Sequence, residues 1–562
     1  MKILITARGP KLAPIITQLA ADFGHNHEVR VIAYYTETHK YIRSKGVKTV
    51  SPLAYASMSA ATINNEWNKI KKHNINDMIY DGFNLLELSD YERRRAQIEN
   101  KTPNDLWFCY SALKTIISSQ SIIAYFKPHL IAVWNGGIME SKIFVEYAKK
   151  YNIGIVYLER GLLPDSLVID PCGVNAESII CKGDWNIIRE TSVNIDKIIS
   201  MRQYLNTIMG SGRSIVEQPN IVDRDTLVSK YDIPINAQML FLPGQIDTDT
   251  NIIRNASNWP TNEYVIEKIL NAIEMYEDIY LLYKPHPENR NTSKSNITHP
   301  KLRVINDVHL HSLIQVSDAC IVRNSTAGLE AIILRKPVIA LGNAIYTNKG
   351  FTYDLSLYYD LSDVIQHALR DKMTDEMINI SEIFLEYIIY KYSYYMKSSE
   401  PLNGVNSDRV SALLKIARND EKYDNITPIV SDLLEKTDEW INKSIESVSE
   451  INTRLSNPKE DTFYKILLIQ ASDEWRYSKT VERISRYSTI HRLDILADSS
   501  IVQGLSGRKY NGLGGMILSS IYNALGNYDI VLIVVSQLEV LSRKARIIKR
   551  IFPKSLFYPA DL

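Results

Sequence analysis

An excess of charge is the first thing this chain lacks. Its 65 Lys and Arg stand against 64 Asp and Glu, a formal net charge of +1. No long-range field therefore recruits nucleic acid or an acidic membrane surface, and an anionic substrate must be met by basic groups placed locally. Cysteine is scarce. The four residues, Cys109, Cys172, Cys181 and Cys320, form no C-x-x-C pair. Neither a zinc site nor a disulfide framework is supported, and reduced cytoplasmic thiols are expected. No apolar run reaches the ~18 residues of a membrane span. At the N-terminus, "MKILITARGPKLAPII" has an apolar run of only about five residues before Arg8, so it reads as a first strand and turn rather than a signal peptide. Tandem repeats and low-complexity segments are missing too. The expected location is cytoplasmic, peripheral at the inner membrane at most.

What is there is the composition of a globular protein: 562 residues, 45% hydrophobic and 23% charged, with room for roughly three or four domains. Residues 1–235 alternate strand candidates ("KILITA", "EVRVIAYY", "HLIAVWNGG", "GIVYLERG", "SIICKG") with helical patterns ("APIITQLAADFG", "ESKIFVEYAKKYN"), interrupted by a longer helical section at 86–127. That alternation predicts βαβ units and a mainly parallel sheet. A second series begins at "QMLFLPGQ" and, with closing helices in "MTDEMINISEIFLEYIIYKYSYYMKS" that pack back over both domains, fills 236–405. Two Rossmann-like doubly wound α/β domains facing a cleft are expected. Residues 406–460 read as a charged amphipathic helical linker. In 461–562, "YKILLIQA", "RLDILAD" and "YDIVLIVV" restart a strand series that reads as a partial α/β domain; "GLGG" there is a helix-entry turn rather than a phosphate loop.

Four stretches carry candidate chemistry. "PGQIDTDTN" (Pro243 to Asn251) follows an apolar strand and holds Asp247 and Asp249; Asp-x-Asp there serves a divalent metal, covalent chemistry or a helix cap. In "ACIVRNSTAGLEAIILRKPVIALG" the strand ends at Val322, a turn follows at Arg323-Asn324, and a helix opens at Ser325-Thr326. Free N–H groups at a helix start cradle phosphate, and Glu330, one turn deeper on the same face, can accept from ribose hydroxyls; the plain alternative is a Ser cap with a surface Glu. "YLLYKPHPENR" presents Lys284, His286 and Arg290 on a proline-stiffened strand exit suited to phosphate or carboxylate. "VYLERGLLPDSLVIDPCGVN" puts Glu159 and Arg160 directly after a strand, with Asp170 and Asn175 in the loop beyond; a Glu–Arg surface pair is the bland version. "VWNGGIMES" adds Asn135 and two glycines where backbone can approach a ligand closely.

Taken together, "YKPHPENR", "NSTAGLEAIILRKPVIALGNAIYTNKGFT", "PGQIDTDTN" and "ERGLLPDSLVIDPCGVN" resemble the bacterial capsule-polysaccharide-synthesis proteins. More narrowly, they resemble the retaining β-Kdo glycosyltransferase module of capsule lipid-anchor and lipopolysaccharide O-antigen synthesis. The resemblance covers residues 1–400 or so, four motifs in the same order. It implies a GT-B-like transferase that takes Kdo from CMP-β-Kdo, without metal or other cofactor, and passes it to a saccharide or glycolipid acceptor, in a protein that can carry further transferase modules. His286 would lie near the nucleotide phosphate, Ser325 and Thr326 at the phosphate-binding helix start, Glu330 against the ribose, and Glu159 in the cleft. A Gln-x-x-x-Asp element starting at Gln245 selects Asp249 over Asp247 as nucleophile, with Asp247 the fallback, and Asn324 joins the donor side. Tyr346 and Lys349 fall where the family has an aromatic-rich loop. For the Kdo carboxylate, Lys284, Arg290, Arg323 and Arg160 are candidates. Glu159 or His286 is the general base. Two other classes fit the architecture: an isomerase like the UDP-N-acetylglucosamine 2-epimerases, and a non-catalytic scaffold of a polysaccharide-assembly complex. The "STAGLEA" helix start and the set Glu159, Asp249 and His286 favour the transferase.

Overall fold

The computed structural model describes residues 1–7, 9–52, 59–183, 185–186, 189, 195–210, 222–287 and 297–417, and beyond them the strand segments 465–470, 492–497, 509–511, 530–535 and 556–559. The chain divides into two compact units. One comprises Met1–Leu85, Cys109–Pro128 and Asp420–Leu562; the other comprises Leu86–Phe108 and His129–Asn419. The boundaries expected near 235 and 405 both fall inside the second unit. Among the described residues no helix is long and apolar enough to cross a membrane.

In the first unit β1 (Lys2–Ala7), β2 (Glu28–Ala33) and β3 (Thr49–Val50) run parallel. The crossover helix Ala13–Gly24 buries Ile15, Ile16, Leu19 and Phe23, the spacing of an amphipathic stripe. A short antiparallel ribbon, β4 (Ile79–Tyr80) with β5 (Phe83–Asn84), follows.

The second unit holds the remaining strands up to residue 417. β6 (Leu130–Trp134) and β7 (Gly154–Arg160) are parallel and joined by the helix Met139–Lys150. β8 (Ser166–Asp170) turns back antiparallel to β7. The turn closes through Gly161, whose N–H donates to the Ser166 carbonyl at 2.8 Å. A six-stranded, fully parallel sheet is built from β9 (Gln238–Pro243), β10 (Ile279–Lys284), β11 (Leu302–Val304), β12 (Ala319–Val322), β13 (Val338–Ala340) and β14 (Tyr353–Asp354). Its order is β11-β10-β9-β12-β13-β14, the doubly wound arrangement. Parallel strands need apolar side chains on both faces. Accordingly Met239 and Phe241 join one buried cluster, with Val322, Tyr346 and Phe384, while Leu240 and Leu242 join the other, with Ile266, Leu281 and Ile339. After the helix Asp375–Tyr387 the chain enters a π-turn, Ile388–Tyr392, and then β15 (Ser393–Tyr395), antiparallel to β8.

Two expectations change here. "SIICKG" is not a strand: Ile179–Lys182 is a short helix, because the buried Asp170 carboxylate accepts from the Ile179 N–H at 2.9 Å and from the Cys172 N–H at 2.7 Å. Asp170 also accepts from the Tyr392 hydroxyl at 2.7 Å, so it organises its loop rather than facing a ligand. The closing segment is not all helix either, since it ends in β15.

The C-terminal strands β16 (Lys465–Gln470), β17 (Arg492–Ala497), β18 (Lys509–Asn511), β19 (Ile530–Val535) and β20 (Leu556–Pro559) form a parallel sheet in the order β18-β17-β16-β19-β20. The "GLGG" turn and the linker helix expected in "SDLLEKTDEWINKS" lie outside the described residues.

A glycine shows how tightly the six-stranded sheet is packed. A Cβ on Gly328 would stand 2.6 Å from Cζ of the buried Tyr346 ring. Gly328→Ala is therefore expected to cost roughly 1–3 kcal/mol through overpacking, read as a lowered denaturation midpoint. The double variant Gly328→Ala, Tyr346→Leu should cost less than the sum of the two single changes.

Candidate active site

In a doubly wound sheet the chain leaves a crevice where the strand order reverses. Here that point lies between β9 and β12. The loop after β9 carries Gln245, Asp247 and Asp249, and the loop after β12 carries Arg323 to Thr326. β10, next to β9, delivers Lys284 and His286. The β9 and β10 exits run so close that a Cβ on Gly244 would lie 2.9 Å from both the His286 nitrogen and the Lys284 carbonyl oxygen, so only glycine fits.

The two aspartates do different work. Asp247 pairs with Arg323 at 2.9 Å. It also accepts from the backbone N–H (3.1 Å) and side-chain amide (2.8 Å) of Asn262. Arg323 is only 2% exposed, and its guanidinium also donates to the carbonyls of Trp259, Pro260 and Gln245 and to Asn262 Oδ1. Burial raises the Asp247 pKa, and Arg323 pulls it back down. Gln245 and Asn324 extend the same net: the Gln245 amide donates to Asn324 Oδ1 at 3.1 Å, and the Asn324 amide donates to the Asn251 carbonyl at 3.0 Å. Asp249 is exposed and caps the helix Thr250–Asn255, accepting from the Asn251 N–H at 2.7 Å. Capping thus holds for Asp249, while Asp247 neutralises a buried arginine.

Glu159, at the end of β7, is linked through Asn135 to the helix that Asp249 caps. Its Oε2 accepts from the Asn135 amide at 2.6 Å, and its Oε1 accepts from the Arg160 N–H at 2.9 Å. The same Asn135 amide donates to Thr250 Oγ1 at 3.0 Å, so one side chain ties the glutamate to the first residue of the helix that Asp249 caps. Asn135 adopts the left-handed region, with φ of 60°, which asparagine tolerates better than most residues. Burial pushes the Glu159 carboxyl from 4.5 to about 7, the Asp249 charge adds to the rise, and the hydrogen bonds from Arg160 and Asn135 oppose it. The site therefore pairs an exposed carboxylate with a carboxyl that titrates near neutrality, the combination that acid–base chemistry uses. Tyr91 steadies the loop by donating to the Thr248 carbonyl at 2.9 Å.

Several expected site residues sit elsewhere. Lys284 is buried, and its Nζ donates to the Val308 carbonyl at 2.8 Å. Arg323 is consumed as described. Glu330 is buried and meets His311 Nε2 at 2.6 Å rather than facing outward. Tyr346 is buried and donates to the Ser325 carbonyl at 2.6 Å, bracing the loop from behind. Lys349 is buried against the Trp185 ring at 5.7 Å, and burial lowers its pKa. The glycines after Asn135 make room for protein groups: a Cβ on Gly136 would strike the Tyr157 ring at 2.7 Å, and one on Gly137 the Arg254 guanidinium at 2.9 Å. Ser325 accepts from the Ala327 N–H at 3.2 Å, and Thr326 is exposed without capping the helix Ala327–Ile333. His286 is half-buried beside Gly244. Arg290 lies outside the described residues. Asn262, Asn251, Arg254 and His311 were not foreseen; of these only Asn262, just after the Thr261 cap, carried a readable signal. Among the described residues, no three of His, Cys, Asp or Glu gather as metal ligands would.

Two outcomes follow for measurement. Asp247→Ala strands a buried guanidinium and should cost roughly 2–4 kcal/mol, whereas Asp249→Ala removes one cap for about 1 kcal/mol; chemical denaturation of both variants separates the roles. Carbon-detected NMR titration should place the Glu159 midpoint near 7. Asn135→Ala should move it up and Asp249→Asn down, since the amide favours the carboxylate and the aspartate opposes it. Because this carboxyl is raised in the folded state, its contribution to stability is full below about 4.5 and is lost as pH climbs through about 7. Glu159→Gln should therefore gain on the parent across that window.

Residues 195–391 match the family described as "Capsule polysaccharide biosynthesis protein". Among curated proteins, the chain is 25% identical to Protein FixF of Sinorhizobium fredii over 301 residues, covering 51% of this chain and 67% of FixF. It is 28% identical to the capsule polysaccharide export protein KpsS of Escherichia coli over 125 residues, covering 20% of this chain and 32% of KpsS. Among solved structures, it aligns with Thermosulfurimonas dismutans KpsC, a β-Kdo 2,4 transferase, at 18% identity and a TM-score of 0.37, covering 51% of this chain and 87% of that one. The chain thus spans two thirds of FixF and only 32% of KpsS. The match to that family thus covers residues 195–391, the segment that builds the six-stranded sheet and holds both aspartates, and the chain resembles the family there.

Proposed function

We propose that the chain is a retaining glycosyltransferase of bacterial surface-polysaccharide synthesis. It moves Kdo from CMP-β-Kdo to a saccharide acceptor through a covalent intermediate on Asp249. One observation carries the reading: Asp249 is exposed and oriented by its own cap, and its charge reaches Glu159, whose carboxyl burial pushes up to about 7. The match of residues 195–391 to the capsule polysaccharide biosynthesis family supports the polysaccharide context. The motif resemblance supports the donor.

In the first step an Asp249 carboxylate oxygen attacks the anomeric carbon, the bond from that carbon to the CMP phosphate oxygen breaks, and CMP leaves with the electron pair. The phosphate departs toward the exposed Thr326 hydroxyl, Ser325 and His286, where N–H and hydroxyl donors stabilise it. In the second step the acceptor hydroxyl gives its proton to Glu159 and attacks the same carbon, and the bond to Asp249 breaks. Two inversions give net retention. A base titrating near 7 is half ionised at neutral pH, which suits it to accept that proton. The remaining carboxylate of the Asp-x-Asp pair, Asp247, is held by Arg323 and Asn262 and takes no part. No metal is needed for a donor with a single phosphate.

The test is incubation with CMP-β-Kdo and no acceptor, followed by peptide mass mapping. One Kdo residue is expected on the peptide holding Asp249. Asp249→Ala should lose roughly 10³-fold or more in turnover. Full activity of that variant, or CMP release with no adduct under any quench, would sink the double displacement; turnover of UDP-GlcNAc in place of CMP-Kdo would sink the transferase reading.

A further inference from the structure

Of the cations expected to meet the sugar carboxylate, Lys284 and Arg323 spend their charge inside the fold. Arg160 is exposed at the end of β7. Arg254, which no motif singled out, lies on the last turn of the helix that Asp249 caps. Its placement is specific. The position of a Gly137 Cβ would be 2.9 Å from Arg254 Nη1, 3.3 Å from its Cδ and 2.9 Å from Asn135 Oδ1. The guanidinium therefore rests on the bare backbone of Gly137, beside the amide that holds both Glu159 and Thr250. Among the described residues it makes no hydrogen bond or ion pair. Its charge reaches Tyr157 and Glu177, and Glu177 is already paired with Lys182 at 2.7 Å.

Charge balance gives this arginine a task. Arg323 neutralises Asp247, which leaves Asp249 and Glu159 as the carboxyl groups of the site. A sugar bearing its own carboxylate would be repelled there unless a cation stood within a few ångströms. A guanidinium offers the fork that binds a carboxylate through two hydrogen bonds. We propose that Arg254 anchors the carboxylate of an acidic 2-keto sugar beside Asp249 and so makes the site specific for anionic donors. The proposal rests on the transferase reading above and adds the residue that sets its sugar class.

Isothermal calorimetry with CMP and with CMP-Kdo, with parent and variants all carrying Asp249→Asn so that no adduct forms, separates the two. Arg254→Ala should weaken CMP-Kdo binding roughly 30- to 100-fold while leaving CMP within about 2-fold. Arg254→Lys should recover part of the loss, because an ammonium supplies charge without the fork. Arg254→Gln, which keeps the stem on Gly137, carries the same comparison if the alanine variant fails to fold. Equal losses for CMP and CMP-Kdo, or no loss for either, overturn the assignment of Arg254 and leave the transferase reading standing. A parent protein that binds neither ligand overturns both.

Discussion

The buried pair of Asp247 with Arg323 is the constraint on which the rest of the site depends. A guanidinium that is 2% exposed survives in the fold only if nearly all its donors are used. Here they reach three backbone carbonyls, Asn262 and Asp247. Meeting those donors locks the loop after β9 to the loop after β12. Its next carboxylate, Asp249, stays exposed and caps the helix Thr250–Asn255. Two acids separated by a single threonine therefore divide into a buried strut and an exposed helix cap.

Much of the fold was legible because buried parallel strands read as continuous apolar runs. "QMLFL", "IYLLYK" and "ACIV" could be little else, and the loops that follow them lie against one another at the strand ends. The short strands β3, β8 and β15 were not legible, because two to five residues carry no periodicity and their pairing is set by distant partners. Ile179–Lys182 misled in the same way: its helix depends on Asp170, nine residues earlier.

The candidate site was legible in place and less so in role. Sequence shows that Lys284, Arg323 or Glu330 stands near a strand's end. It does not show whether the side chain turns to the crevice or to the core. His311 meets Glu330 across 19 residues, and no local pattern announces that bond. Arg254 escaped notice for the opposite reason, since an arginine on an exposed helix turn is ordinary until Gly137 is seen beneath it. The preference for Asp249 over Asp247 rests on resemblance; what the structure adds is that Asp247 is held by Arg323 and Asn262.

β15 has a consequence for where this module can be cut. The strand is three residues long and pairs with β8, whose five residues are all buried. Asn406 clasps its far side, accepting from the Tyr395 N–H and donating to the Tyr395 carbonyl, each at 2.8 Å. A chain ending after the helix Asp375–Tyr387 would still contain every candidate active-site residue. It would nevertheless bare the unpaired backbone of β8 as a flat, apolar edge, the kind of surface that recruits strands from other molecules. Where the chain can be shortened without baring that edge is thus set by β15, well downstream of the candidate site.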